Sequence, residues 1–285
     1  MGGNQSSAES FEEHGLPGSV PTELDTAQEQ IFGELDVTQS NGAKAAELVY
    51  LETTRMLDST NWTEVYNKQG LTIEKKPTNL NDGSLYVFRA RISLPVSVSA
   101  KAFFDHITKP ENYSIIDPDS NPDNFGKDLA RFRYRSEAQI EQAFMKLPMA
   151  VFASQRSYLT LGVKDNTTQQ WVGKSVKFEA VEGSTKFYEQ GKIPCADGTE
   201  RIFYEWAIRV AQGEDERNAE GGGGGCVFSM VQLIELGGSV PTMVSNGVQI
   251  PYFKALAKRL KKCSSEKVMG KDEELKNAAA TAAAT

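Results

Sequence analysis

Basic residues are missing from the first 43 positions of this chain, where Glu9, Glu12, Glu13, Glu23, Asp25, Glu29, Glu34 and Asp36 supply all the formal charge. The whole 285-residue chain carries −7, so the remainder, −7 minus −8, sits at +1. A body so near neutrality has no broad cationic footprint for nucleic acid, which is therefore not expected as a partner. The acidic segment would also be repelled by anionic lipid. Cysteine is scarce as well: Cys195, Cys226 and Cys263 are odd in number and widely spaced, which is neither a disulfide framework nor a zinc pattern. Reduced thiols are expected. The start, Met1-Gly2-Gly3-Asn4-Gln5-Ser6, has no cationic and then apolar stretch, so no secretory signal is expected and the chain is read as cytoplasmic. No run of about 18 apolar residues occurs that would span a bilayer.

Catalytic signatures are absent too. Of the two histidines, His14 lies in the acidic segment and His106 far from it, so they form no metal pair. No Gly-x-Ser-x-Gly, His-Glu-x-x-His or Walker pattern occurs. Neither catalytic residues nor a metal nor a cofactor is expected, and His106 is read as satisfied or exposed.

What is present falls into three parts. Residues 1–40 are rich in Gly, Ser, Glu and Gln and lack a sustained apolar period, so they should be a disordered acidic tail. Residues 264–285 are charged and then Ala/Thr repetitive, a low-complexity tail. Between them, 41–263 read as one domain. Ala43 to Leu57 places Ala46, Val49, Tyr50, Thr53 and Leu57 at helical spacing. Val98 to Ile107 suggests a shorter helix. Tyr86 to Leu94 alternates, with Phe88, Ala90 and Ile92 on one side and Arg89 and Arg91 on the other, as a half-buried antiparallel strand does. The same parity holds at Arg131 to Arg135, Val172 to Ala180 and Ile202 to Ile208, and the basic alternations read as a solvated sheet face. Val227 to Leu236 is apolar on nearly both faces, which fits a central strand. Asp215 to Gly225, with five consecutive glycines, reads as a hairpin loop. Ser239 to Lys262 carries the stripe Val240, Met243, Val244, Val248, Phe253, Ala257 and Leu260, and Pro251 should kink or interrupt that helix. The order predicts an α+β helix-grip fold: a curved antiparallel sheet around a long C-terminal helix, with an internal cavity.

Specific residues then bring a family to mind. Gly237-Gly238-Ser239-Val240-Pro241, Asn246 and Ile250-Pro251-Tyr252-Phe253 resemble the closing signature of START (steroidogenic acute regulatory protein-related lipid transfer) domains. Upstream, Leu147-Pro148-Met149 and Ser154-Gln155-Arg156-Ser157-Tyr158-Leu159 resemble the Pro-x-Pro-Met-Ser-x-Arg-Asp-Tyr-Val segment of that family, with Ser157 where Asp is usual. The similarity, with the Lys174-Ser175 strand and the loop before Glu200, extends over about 200 residues in the expected order and is closest in motif to phosphatidylcholine-transfer members.

The resemblance implies lipid binding in an internal cavity and transfer between membranes, with no enzymatic step. Arg156 matches the Arg that meets the lipid phosphate in phosphatidylcholine-transfer members, and Tyr204 and Trp206 lie near the aromatic that packs on choline. Tyr158 and Thr160 share a face with Arg156, and Phe228 and Met230 belong to the two-sided apolar strand; these seven are the candidate lipid-binding residues. The polar pair of sterol-binding members is missing, since Gly162 and Ala143 occupy its positions although Glu141 is close, so phospholipid is favoured over sterol. Phe187, Tyr188, Ile193 and Pro194 lie in the loop that the family places at the cavity mouth, and are the candidate gate. Two other readings share the fold: a helix-grip cyclase or hydrolase, and a lipid-sensing adaptor that transfers nothing. Finally, Met1 to Ser6 matches the N-myristoylation pattern with Gly2 as acceptor. One such chain gives reversible membrane binding only, so transient contact with a membrane surface is expected.

Overall fold

A computed structural model describes residues 35–38, 40–94, 99–117, 125–146, 155–179, 200–213, 225–236 and 240–264. Within these, only the backbone is described at 81–82, 125–129, 142–146, 155–158, 177–179 and 200–201. The chain runs through strand β1 (Leu35–Thr38), helix α1 (Gly42–Asp58), strands β2 (Thr63–Lys68), β3 (Leu71–Pro77) and β4 (Tyr86–Leu94), and helices α2 (Ala100–Ile107) and α3 (Tyr113–Ile116). Strands β5 (Phe125–Phe132), β6 (Glu137–Lys146), β7 (Gln155–Asp165), β8 (Gln170–Glu179), β9 (Glu200–Arg201), β10 (Phe203–Gln212) and β11 (Cys226–Glu235) follow, then helices α4 (Thr242–Gly247) and α5 (Gln249–Cys263).

The alternating stretches pair into one antiparallel sheet in the order β2-β3-β4-β11-β10-β8-β7-β6-β5. The two-sided apolar strand β11 takes a central place between β4 and β10, as its composition requires. Its odd positions Val231 and Leu233 join Ala207, Val172 and Leu161 against the α1 residues Ala46, Val49 and Leu57. The even positions Phe228 and Met230 join Phe88, Ile92 and Ile208 against Phe103 and Phe104 of α2 and Phe253, Leu256 and Leu260 of α5. Each large side chain buried this way contributes about 1.5–3 kcal/mol. One helix thus covers one face of a curved sheet, and the closing helices grip the other.

Four details differ from the sequence reading. Leu35–Thr38, assigned by composition to the tail, pairs in parallel with β8, and Val37 is buried. Its alternation of Leu35 and Val37 with Asp36 and Thr38 is too short to stand out. The strand expected at Arg131 to Arg135 stops at Phe132, and Arg135 turns the chain with φ +53°. Its guanidinium lies over the Tyr50 ring, 4.6 Å from the centroid, and 3.5 Å from the Asp165 carboxylate. The closing helix is interrupted, as Pro251 implied, into two helices that part at Gly247 and Val248. The Pro251 ring would clash with the carbonyl four residues back, which is that of Gly247, so Pro251 is accommodated in the first turn of α5. Met243, placed on the apolar stripe, is 78% exposed. The outward arginines are also less free than a solvated face implies: Arg89 donates to Glu74 at 2.8 Å and to the carbonyls of Leu57 and Ser59.

Candidate functional site

On the face covered by α5, β10 places Tyr204, Trp206 and Ile208 in a row by simple alternation, while Glu205 and Ala207 turn toward α1. Thr160 of β7 and Met230 of β11 flank that row, and Tyr113, Ile116 and Asp117 close it from α3 and the residue after it. With Glu141 and Trp171 they enclose about 50 Å³, room for a few water molecules. The space is small because rings fill it. Trp171 meets Trp206 edge-on at 4.7 Å, Tyr113 stacks on Trp171 at 5.0 Å, and Tyr204 lies 6.5 Å from Trp206. Offset and edge contacts of this kind are the favoured ones between aromatic rings. The cluster depends on Gly173, paired across from Trp206, where a β-carbon would stand 2.6 Å from the indole.

Of the seven candidates, Thr160, Tyr204, Trp206 and Met230 line this space, and Phe228 lies fully buried in the adjoining core. Arg156 and Tyr158 pair with Met145 and Ala143 in the backbone register of β7 on β6, and their side chains lie outside the described residues. Phe187, Tyr188, Ile193, Pro194 and Gly2 also lie outside the described residues. The sequence reading missed Tyr113, Trp171 and Asp117. Tyr113 and Asp117 belong to a helix of one turn and its end, too short to show a period. Trp171 stands one residue before the stretch taken as a strand, although its parity with Gly173 and Ser175 could have placed it.

The closing helix holds α3 in place. Arg259 donates from Nε to the carbonyl of Ile115 at 2.7 Å and from Nη2 to that of Ile116 at 3.1 Å, and the Tyr252 hydroxyl donates to the same Ile116 oxygen at 3.0 Å. Burial of the Tyr252 phenol pushes its pKa far above the ordinary value, so it stays a donor. Outside this latch a groove of about 420 Å³ opens between the ends of β3 and β4 and the α4–α5 junction, lined by Val65, Lys75, Tyr86, Phe88, Met243 and Ile250 among others. The two helices are tied to that end of the sheet by Asn246, which accepts from Tyr86 N and donates to the Ser84 carbonyl.

Charge is buried on the opposite face. Lys174 of β8 lies 2.7 Å from Glu52 of α1 and 3.9 Å from Glu205 of β10. Burial raises Glu205 to a pKa of about 7, against the pull of Lys174. His106 is buried at the end of α2, where Asn112 donates to its carbonyl at 2.9 Å. Among the described residues, no group of three or more His, Cys, Asp or Glu side chains could hold a metal ion, and no helix is long and apolar enough to cross a membrane.

Comparison of this architecture with solved structures finds human STARD10, with a TM-score of 0.54 at 16% identity over 79% of this chain and 81% of that one. The chain has a START-like fold. Human StAR-related lipid transfer protein 5 superposes with a TM-score of 0.51 at 12% identity, over 79% of this chain and 97% of its own. No family model matches the sequence, and no curated protein matches it. The START-like fold is therefore carried by the arrangement of sheet and closing helices, with little shared sequence.

Proposed function

We propose that this chain binds an amphiphilic lipid between the sheet and helices α3 and α5 and carries it between membranes, with phospholipid favoured over sterol. The observation that carries the reading is the aromatic wall of Tyr204, Trp206, Trp171 and Tyr113, enclosed with Thr160 and Met230 on a START-like fold. One of the two structural neighbours is by name a lipid transfer protein. Aromatic faces attract quaternary ammonium groups, so Tyr204 and Trp206 suit a choline headgroup. Arg156 is assigned to the phosphate, and Gly162, six residues on, leaves the second arginine of sterol-binding members without a counterpart.

The space of about 50 Å³ is far below the roughly 300–1,000 Å³ of small-molecule sites, so uptake requires the aromatic wall and α3 to move aside. Acylation at Gly2 would add weak, reversible membrane attachment, suited to a carrier that must also leave. Uptake from labelled phosphatidylcholine and sterol vesicles tests the reading together with Arg156. Wild type should extract phosphatidylcholine in preference to sterol. Arg156→Leu should weaken that extraction by about 10- to 100-fold, the equivalent of a charge-assisted contact of about 1.5–3 kcal/mol, while the chain stays folded. Loss of folding without selective loss of uptake would assign Arg156 to a structural ion pair.

A further inference from the structure

Among the described residues between the sheet and the closing helices, two buried side-chain oxygens have no hydrogen-bond donor: Oε1 of Gln232 and Oε1 of Gln249. The two residues are 3% and 1% exposed. Gln232 follows Phe228 and Met230 at alternate positions of β11, on the face that α5 covers. Gln249 begins the buried stripe of α5 that continues through Phe253, Leu256 and Leu260. Their levels along the strand agree. One helical turn before Gln249, Ser245 accepts from Leu236 N at 3.4 Å, and three residues after it the Tyr252 hydroxyl lies 3.8 Å from Met230 Sδ. Gln249 is thus bracketed by anchors at Leu236 and Met230, and Gln232 lies between those same two residues on the strand. The Gln249 amide is oriented by its Nε2, which donates to the Ser245 carbonyl at 3.4 Å, so its oxygen is the end left over.

The place of these acceptors in the fold suggests what they meet. Across the strands, Gln232 pairs with Trp206 of β10 and Phe88 of β4. Trp206 lines the inner space and Phe88 the outer groove, whose lining also includes Ile250, next to Gln249. Gln232 therefore lies between a residue of the inner space and a residue of the outer groove, and Gln249 lies beside a residue of that groove. A buried acceptor left without a donor is unfavourable, and a ligand that supplies the donor removes that penalty. Phosphatidylcholine cannot, because its esters, phosphate and quaternary ammonium include no N–H or O–H. A sphingoid lipid can, since its backbone carries a hydroxyl and an amide N–H just where its chains begin.

We propose that the inner space and the outer groove are two ends of one lipid path, and that Gln232 and Gln249 accept hydrogen bonds from the hydroxyl and amide of a sphingoid backbone lying across it. The proposal rests on the lipid-binding reading above and names the ligand chemistry of that site. Sphingomyelin and phosphatidylcholine share one headgroup and differ in this backbone, which makes them the probes. Purified full-length chain is offered vesicles holding equal amounts of the two with matched acyl chains, and the extracted lipid is quantified by mass spectrometry. Wild type should be enriched in sphingomyelin by a factor of roughly 2 to 10 for each bond formed. Gln232→Met and Gln249→Met should each bring the ratio toward one. Removing an unpartnered buried acceptor in favour of an apolar side chain of similar shape is near neutral or stabilising for the empty protein, so Gln232→Met should not melt below wild type, and Gln249→Met should lose no more than the one long bond from Nε2 to the Ser245 carbonyl. Equal extraction of both lipids by wild type overturns donor recognition and leaves the lipid reading standing. A sphingomyelin preference that persists in both variants overturns the assignment of these residues, and extraction of neither lipid overturns both proposals.

Discussion

Glu205 is held between β10 and α1 with 1% of its surface exposed, and its Oε2 has no donor. Lys174, Glu52 and Thr53 are the groups that face it, and Lys174 lies closer to Glu52 than to Glu205. Burial therefore outweighs the attraction, and the carboxyl titrates near 7 where an ordinary glutamate titrates near 4.5. The sign follows directly. Between those two values the folded chain holds a proton that the unfolded chain has released, so Glu205 makes stability fall as pH rises from about 4.5 to about 7. Glu205→Gln keeps the shape without the ionisation. Thermal melts should show the variant above wild type at pH 8 and the gap closing toward pH 5. A gap that widens toward acid would mean that the ionised carboxylate is stabilising, and that the pair with Lys174 outweighs burial.

At the scale of elements, α3 is the piece placed to move. It is a single turn that lines the inner space, and Arg259 and Tyr252 of α5 bind its last carbonyls. Arg259→Met removes two charge-assisted bonds, worth about 1.5–3 kcal/mol together at least, so local opening should rise by roughly 10- to 100-fold. Hydrogen exchange at the amides of 113–117 and the rate of lipid exchange should both increase in that variant. If lipid exchange stays at the wild-type rate while α3 opens, access lies elsewhere, and a cross-link from the 187–198 loop to α5 becomes the decisive experiment. How much of this was legible in the sequence depends on element length. Helix α1 and strands β4, β10 and β11 stood out because each repeats its period several times, and the same parity put Tyr204 and Trp206 together. Helix α3 and strands β1 and β9 are shorter than any window in which a period can be counted. The break before α5 was foreseen from Pro251, but its place is set by the carbonyl four residues back. The contribution of Gly173 could not be read at all, since only the cross-strand register shows which ring it admits.

At the scale of the molecule, the sheet separates two kinds of interior. The α1 side is closed packing around a buried charge cluster, in which Lys174 stands near the donorless Glu205 Oε2, whereas the α5 side holds an aromatic wall, a small space and two amide acceptors without donors. A domain selected for stability alone would have little use for the second arrangement, and a lipid carrier would. The likeness to solved structures shows the START-like fold alone, so the lipid reading rests on the α5 side of the sheet. Native mass spectrometry with lipid extraction, on the full chain purified from its own cell type, addresses the claim most directly. The account predicts a folded chain carrying a single amphiphile that exchanges with lipid from added vesicles. A folded chain that carries nothing, and takes up no phosphatidylcholine, sphingolipid or sterol when offered them, would contradict it.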